Sequence, residues 1–129
     1  MQNKKPIPIG GEPQSQVYRL GILDRFVLAK VLPPEGDIST LRIVRELRQA
    51  LSFTEAEHKK FSMKIVGEGE ARHWEWDNDV DRVNHKGIQV GPLGFTLIHD
   101  ALKKLNEAKK LTEEHIGLYD MFCAEAKKE

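Results

Sequence analysis

The 129-residue chain is poor in several features that would place it in a specialised class of protein. It has a single cysteine, Cys123, so no disulfide can form within it, and a reducing cytoplasm is the expected compartment. No hydrophobic run approaches the roughly 18 uninterrupted residues of a membrane span, so we expect no membrane partner. Lysine plus arginine number 20, as do aspartate plus glutamate, so no net charge draws the protein to nucleic acid or anionic lipid.

What remains is typical of one folded domain. Hydrophobic residues make up 40% of the chain and charged residues 31%, enough of each for a core and a solvated surface. Residues 1–16 hold three of the six prolines and two of the ten glycines, which predicts a flexible Pro/Gly-rich arm. We therefore expect residues 17–129 to form a single α+β domain.

Hydrophobic periodicity predicts helices on both sides of the middle of the chain. Apolar residues recur at steps of three and four from Leu20 to Val31, which indicates a leading helix, although residues 27–32 could also form a strand. A second helix opens at Gly36–Asp37, and a third has the Thr54/Glu57 spacing of a capping box. After Pro92 the pattern is helical again, in one long helix and a final short one.

The middle of the chain is strand-like instead. Residues 63–66, 71–76 and 87–90 predict three short strands, and 77–85 predict an acidic loop. Trp74 and Trp76 alternate along one strand, so both should lie on the face that covers the helices. The predicted fold is α+β, with two helical hairpins plus a leading helix packed on a small three-stranded antiparallel sheet.

The two helical halves are weakly similar to each other. A shift of about 58 residues places Pro34 on Pro92, Leu47 on Leu105 and Thr54 on Thr112. The matches fall on turns, buried stripes and caps. They predict either that segments 31–61 and 89–119 arose by duplication, or that two unrelated helical units share the turn and cap residues that every such unit needs.

Few side chains have the pattern of a catalytic or metal site. His73, Glu75 and Asp77 alternate and could project from one strand face toward a cation, as a metal-dependent hydrolase would require. The alternative is a solvated acidic turn, and the Asp77–Asp79–Asp81 spacing departs from a calcium loop because Arg82 stands where that loop needs glycine. The interpretation is therefore a non-enzymatic protein with no cofactor.

Charge is unevenly spread along the chain. Residues 1–52 hold eight basic and five acidic side chains (net +3), and residues 67–85 hold two and six (net −4). Arg42, Arg45 and Arg48 repeat on the second helix, and Glu75, Asp77, Asp79 and Asp81 cluster in the acidic segment. Both sets are candidates for binding another protein. The arginine face could instead belong to a small nucleic-acid-binding regulator, although so few arginines would neutralise few phosphates.

Several segments resemble a group of small phage- and prophage-type proteins. The similar segments are residues 32–37, 40–48 and 51–59, the tryptophan-containing strand, and the ending from residue 101 to residue 119. The resemblance covers about residues 22–122 and carries no catalytic residue or cofactor. It implies a protein of a bacterial host's cytoplasm that binds a host or viral protein.

The final helix raises the question of self-association. Ile116, Tyr119 and Phe122 share one helical face, whereas Leu118 and Met121 are turned away from it. Either another element of the chain covers Leu118 and Met121, or a second subunit does. The second case predicts a homodimer.

Overall fold

The computed structural model describes residues 15–123, which form six α-helices, four short strands and two 3₁₀ turns. The strands are β1 (Gln16–Leu20), β2 (Lys64–Val66), β3 (His73–Glu75) and β4 (Lys86–Val90). The helices are α1 (Ile22–Val31), α2 (Ile38–Leu51), α3 (Glu55–Lys60), α4 (Asn78–Arg82), α5 (Pro92–Glu107) and α6 (Ile116–Cys123). The 3₁₀ turns are Gly69–Ala71 and Glu113–His115. The predicted α+β class is confirmed.

The predicted three-stranded sheet is wrong. The strands form two separate antiparallel pairs, β1 with β4 and β2 with β3. Strand β1 escaped prediction because Leu20 fits the apolar spacing of α1, although Gly21 separates strand from helix. Tyr18 stands opposite Ile88, so the strand predicted at 87–90 joins the start of the described chain rather than the neighbouring hairpin.

One core lies beneath the β1–β4 pair. Leu20, Ile88 and Val90 point into it from the strands, and side chains of α1, α2, α5 and α6 fill the remainder. Helix α2 packs against α1, β4 and α5, so the predicted arrangement of two helical hairpins is not confirmed. The internal duplication stays a prediction, and most of the predicted arm, residues 1–14, lies outside the described residues.

Local sequence signals locate several helix ends. Asp37 caps α2, its Oδ1 accepting the Thr40 N–H at 2.8 Å. The capping box of α3 is confirmed, with Thr54 and Glu57 bonded reciprocally at 2.9 and 3.1 Å. The segment predicted as an acidic loop instead contains α4, because the Asp77 carboxylate accepts the amides of Asp79 and Val80 and so starts a helix.

The β2–β3 hairpin is attached to α1 through aromatic side chains. Phe26 on α1 contacts the rings of Trp74 and Trp76, with centroids 6.0 and 5.8 Å apart, and the ring of Phe53 at 5.0 Å. The prediction that both tryptophans cover a helix is therefore confirmed. The indole N–H of Trp76 is buried with no acceptor among the described residues.

Candidate protein-binding surface

The three predicted arginines of α2 lie outside its buried stripe, Arg42 on the opposite side and Arg45 and Arg48 successively nearer to it. Val44, Leu47 and Leu51 are buried, whereas Arg42, Arg45 and Arg48 are exposed. Each step of three residues turns 60° short of a full circle, so the guanidinium groups form a slanted row along the helix. We call this row the arginine surface.

The arginine surface has little counter-charge within the described part of the chain. Neither Arg42 nor Arg45 makes a hydrogen bond or ion pair to any residue between 15 and 123, and Arg48 donates one long bond, 3.4 Å, to the Leu32 carbonyl. Glu46 lies one helical turn after Arg42, but no ion pair joins the two, and Glu46 lines a neighbouring groove with Ile43 and Gln89. These cations are therefore available to an external anion.

An apolar groove runs beside the arginine surface. Three depressions of about 200, 540 and 260 Å³ adjoin: the first two share Leu41 and Arg45, and the last two share Arg48 and Ser52. We call the whole the α1–α2 groove. Its apolar lining comes from Phe26, Ala29, Pro33, Pro34, Ile38, Leu41, Val44, Leu51 and Phe53. Ile38 is 62% exposed at one end, an apolar surface that residues 15–123 leave largely uncovered.

The acidic segment, by contrast, has its carboxylates bonded within the chain. Asp77 caps α4, and the Oδ1 of Asp81 accepts the backbone N–H of Ile22 at 3.0 Å, at the start of α1. Asp79 pairs with Arg82 at 3.0 Å, and Glu75 pairs with His73 at the same distance. All four acids predicted to bind protein therefore have a bonding partner within the chain, whereas Arg42 and Arg45 have none among residues 15–123.

The three metal candidates are not brought together. His73 Nε2 lies 3.0 Å from Glu75 Oε2, and its Nδ1 lies 2.7 Å from the Ala71 carbonyl, whereas Asp77 turns toward its own helix. The Ala71 carbonyl, followed by Glu75, raises the pKa of His73 because both favour the protonated ring. Within residues 15–123, no three histidine, cysteine or acidic side chains are placed to hold a metal ion.

The self-association patch predicted on α6 is wrong at Leu118. This side chain is 0% exposed, because α6 packs against α1 and α5, while Met121 remains 36% exposed. The stripe that faces inward is Leu118, Phe122 and Cys123. Burial raises the pKa of the Cys123 thiol, which keeps it protonated.

Sequence reasoning missed the most heavily bonded polar residue, Arg25. It is 2% exposed, and its guanidinium donates to both Glu57 carboxylate oxygens and to the carbonyls of Leu51 and Ser52. The group also lies 3.9 Å over the Phe53 ring. Hydrogen bonds from Arg25, together with the backbone amide of Thr54, hold the pKa of Glu57 at about 2. No local pattern marks Arg25, since its partners lie 26 to 32 residues away.

No protein-family model matches the chain, and no curated protein or solved structure shows significant similarity to it. Among residues 15–123, none of the helices combines the length and apolar character needed to cross a membrane.

Proposed function

We propose that the protein is a non-enzymatic binding module whose arginine surface and α1–α2 groove hold an acidic segment of another protein. The single observation that carries the proposal is that Arg42 and Arg45 are exposed beside an apolar groove and bond to no residue between 15 and 123. Arginine beside apolar surface is the composition enriched where proteins meet, and complementary charge sets orientation and association rate. The phage-type resemblance makes a host or viral protein the expected partner.

The acidic segment takes no part in this proposal. Asp77 and Asp81 already stabilise α4 and the start of α1, so binding through them would require breaking those bonds, and Glu75 and Asp79 are paired with His73 and Arg82. The arginine surface would gain hydrogen bonds on binding without losing any beyond the long one from Arg48. A charge-assisted pair formed there adds contacts at small internal cost.

A titration followed by NMR tests the proposal. The ¹⁵N-labelled protein is mixed with a pool of acidic peptides, and we expect amide shifts confined to the two segments that line the groove, 25–34 and 38–53. The double variant Arg42→Glu, Arg45→Glu should lose them. Arg72→Glu is the matched control, because Arg72 is exposed but does not line the groove. Equal shifts in the double variant, or shifts centred elsewhere, would reject the surface.

A nucleic-acid-binding regulator is the second candidate, and the unbonded state of Arg42 and Arg45 also favours it. Three arginines that each neutralise a phosphate would give a salt slope of about −2.7 on a log–log plot. The apolar lining favours protein instead, because a phosphate backbone offers nothing to cover Leu41 or Ile38. Gel shifts with a short duplex at low and moderate salt distinguish the two. Duplex binding that is lost in the triple variant Arg42→Ala, Arg45→Ala, Arg48→Ala would favour the regulator.

A further inference from the structure

The two ends of the α1–α2 groove differ in chemistry. The depression at the Ile38 end is lined by Ile38 and Leu41 and bordered by Arg42 and Arg45, neither of which bonds to any residue between 15 and 123. The depression at the other end is lined by Phe26, Ala29 and Phe53. Of the two cations there, Arg25 already donates to Glu57 and two carbonyls, and Arg48 is shared with the central depression. Both ends therefore offer apolar contact, but the Ile38 end has two available arginines and the other end has Arg48 alone at its border.

From this asymmetry we infer that the partner segment is an acidic amphipathic helix that places one large apolar side chain against Phe26, Ala29 and Phe53 and its carboxylates along Arg48, Arg45 and Arg42. This inference rests on the proposed function and specifies the chemistry of the partner. A carboxylate against Phe26, Ala29 and Phe53 would lose its hydration with only Arg48 at the border as an available donor, whereas an apolar side chain there would gain from leaving water.

The arginine surface and the groove beside it favour a helix over an extended segment. Because Arg42, Arg45 and Arg48 border apolar residues, the partner must present carboxylates and an apolar side chain on adjoining faces. A helix does this, since residues three and four apart lie side by side on its surface, whereas the two faces of an extended strand point in opposite directions. An amphipathic helix laid in a groove also brings apolar residues of the same face to the floor.

A second copy of this chain offers no suitable acidic helix among residues 15–123, so the inferred partner is a different protein. The four acids of segment 75–81 are bonded internally, and α4, on which two of them lie, is only five residues long. In the described part of the chain, α2 and α5 carry mixed charge rather than an acidic face. A separate acidic helix fits the groove better.

Four fluorescein-labelled 16-residue peptides test the inference by anisotropy with the full chain. The first has glutamates at helical spacing and one leucine anchor. The second replaces the leucine with serine, the third has a central proline, and the fourth replaces every glutamate with glutamine. We expect the first to bind at least about tenfold more tightly than each of the others, which lack the anchor, the helix or the charge.

The outcomes separate the inference from the proposed function. Equal binding of the leucine and serine peptides would overturn the anchor, and equal binding of the proline peptide would overturn the helix, while both leave acidic binding intact. Binding that ignores the loss of glutamates, or no binding by the first peptide, would overturn the proposed function itself.

An NMR measurement on the wild-type protein locates the leucine anchor, so this test does not depend on whether a variant folds. With ¹³C-labelled alanine methyl groups, the leucine peptide should shift the Ala29 signal, and the serine peptide should leave it unmoved. The methyl group of Ala101, on α5 and outside the groove, is the internal control. The variant Ala29→Gln should weaken the leucine peptide about tenfold and the serine peptide little. A shift at Ala101 instead of Ala29 would overturn the assignment.

Discussion

Two neighbouring helices of the protein use arginine in opposite ways. On α1, Arg25 is buried and donates to a carboxylate and two carbonyls, which joins α1 to the α2–α3 connection. On α2, Arg42 and Arg45 are exposed and bonded to no described residue. The first arginine maintains the fold and the others remain for a partner, so the environment of a side chain, rather than its type, decides its role.

The largest effect that separates the two helices is expected from Arg25→Ala. Breaking a buried ion pair costs about 3–5 kcal/mol, here because Glu57 and two carbonyls lose their donors. Urea unfolding at pH 7 measures it. Arg25→Lys should recover less than half of the loss, since an ammonium cannot form the paired bonds to Glu57. A loss below about 1 kcal/mol for Arg25→Ala would show that the pair is not structural.

Acid should remove the stability that the Arg25–Glu57 pair contributes. The pKa of Glu57 is about 2 in the folded protein against 4.5 ordinarily, so the folded state binds its proton less readily. The stability that this carboxylate contributes is complete above about pH 4.5 and is lost as the pH falls toward 2, by about 3 kcal/mol. Urea unfolding between pH 2 and 7 measures the fall, which should be shallower in Glu57→Gln. Parallel curves for both proteins would contradict the assignment.

Acidic residues allow the same comparison on a smaller scale. Asp81 joins α4 to α1 through the Ile22 amide, so Asp81→Ala should cost about 1–2 kcal/mol, as for the loss of a helix cap. Asp79 makes only an exposed pair with Arg82, and Asp79→Ala should stay within about 0.5 kcal/mol. Thermal unfolding of the two variants measures the difference. Equal losses would mean that the Ile22 bond adds nothing.

The smallest effect on stability is expected from the arginine surface itself. Arg42→Ala and Arg45→Ala remove side chains without internal bonds, so the free energy of unfolding should change by less than about 0.5 kcal/mol. Urea unfolding provides this measurement as well. A loss above about 1 kcal/mol in either variant would indicate a structural role and would weaken the contrast with Arg25.

Much of the local structure follows from neighbours in sequence. The buried stripe of α2, its Asp37 cap and the Thr54/Glu57 capping box were predictable, because each depends on residues within a few turns of one another. The hairpin carrying Trp74 was predictable for the same reason. Asp77 was read as part of a loop although it is a common capping residue, so this error lay in interpreting a signal that was present.

Long-range pairing could not be predicted in this way. Strand β1 pairs with β4 across more than 65 residues, and the alternation of so short a strand was hidden by the helical spacing that begins at Leu20. The sequence left open whether the chain itself or a second subunit covers Leu118, and only the packing of α6 against α1 and α5 shows that the chain itself does.

By itself the sequence determined where the charges lie, where most helices begin and end, and that the arginines of α2 recur every third residue outside its buried stripe. Only the tertiary structure decided which charges are used internally. Asp81 reaches Ile22 across 59 residues and Arg25 reaches Glu57 across 32, whereas no described acid reaches Arg42 or Arg45. Periodicity reports which face of an element a residue occupies, but the partner of a charge depends on which elements the core brings together.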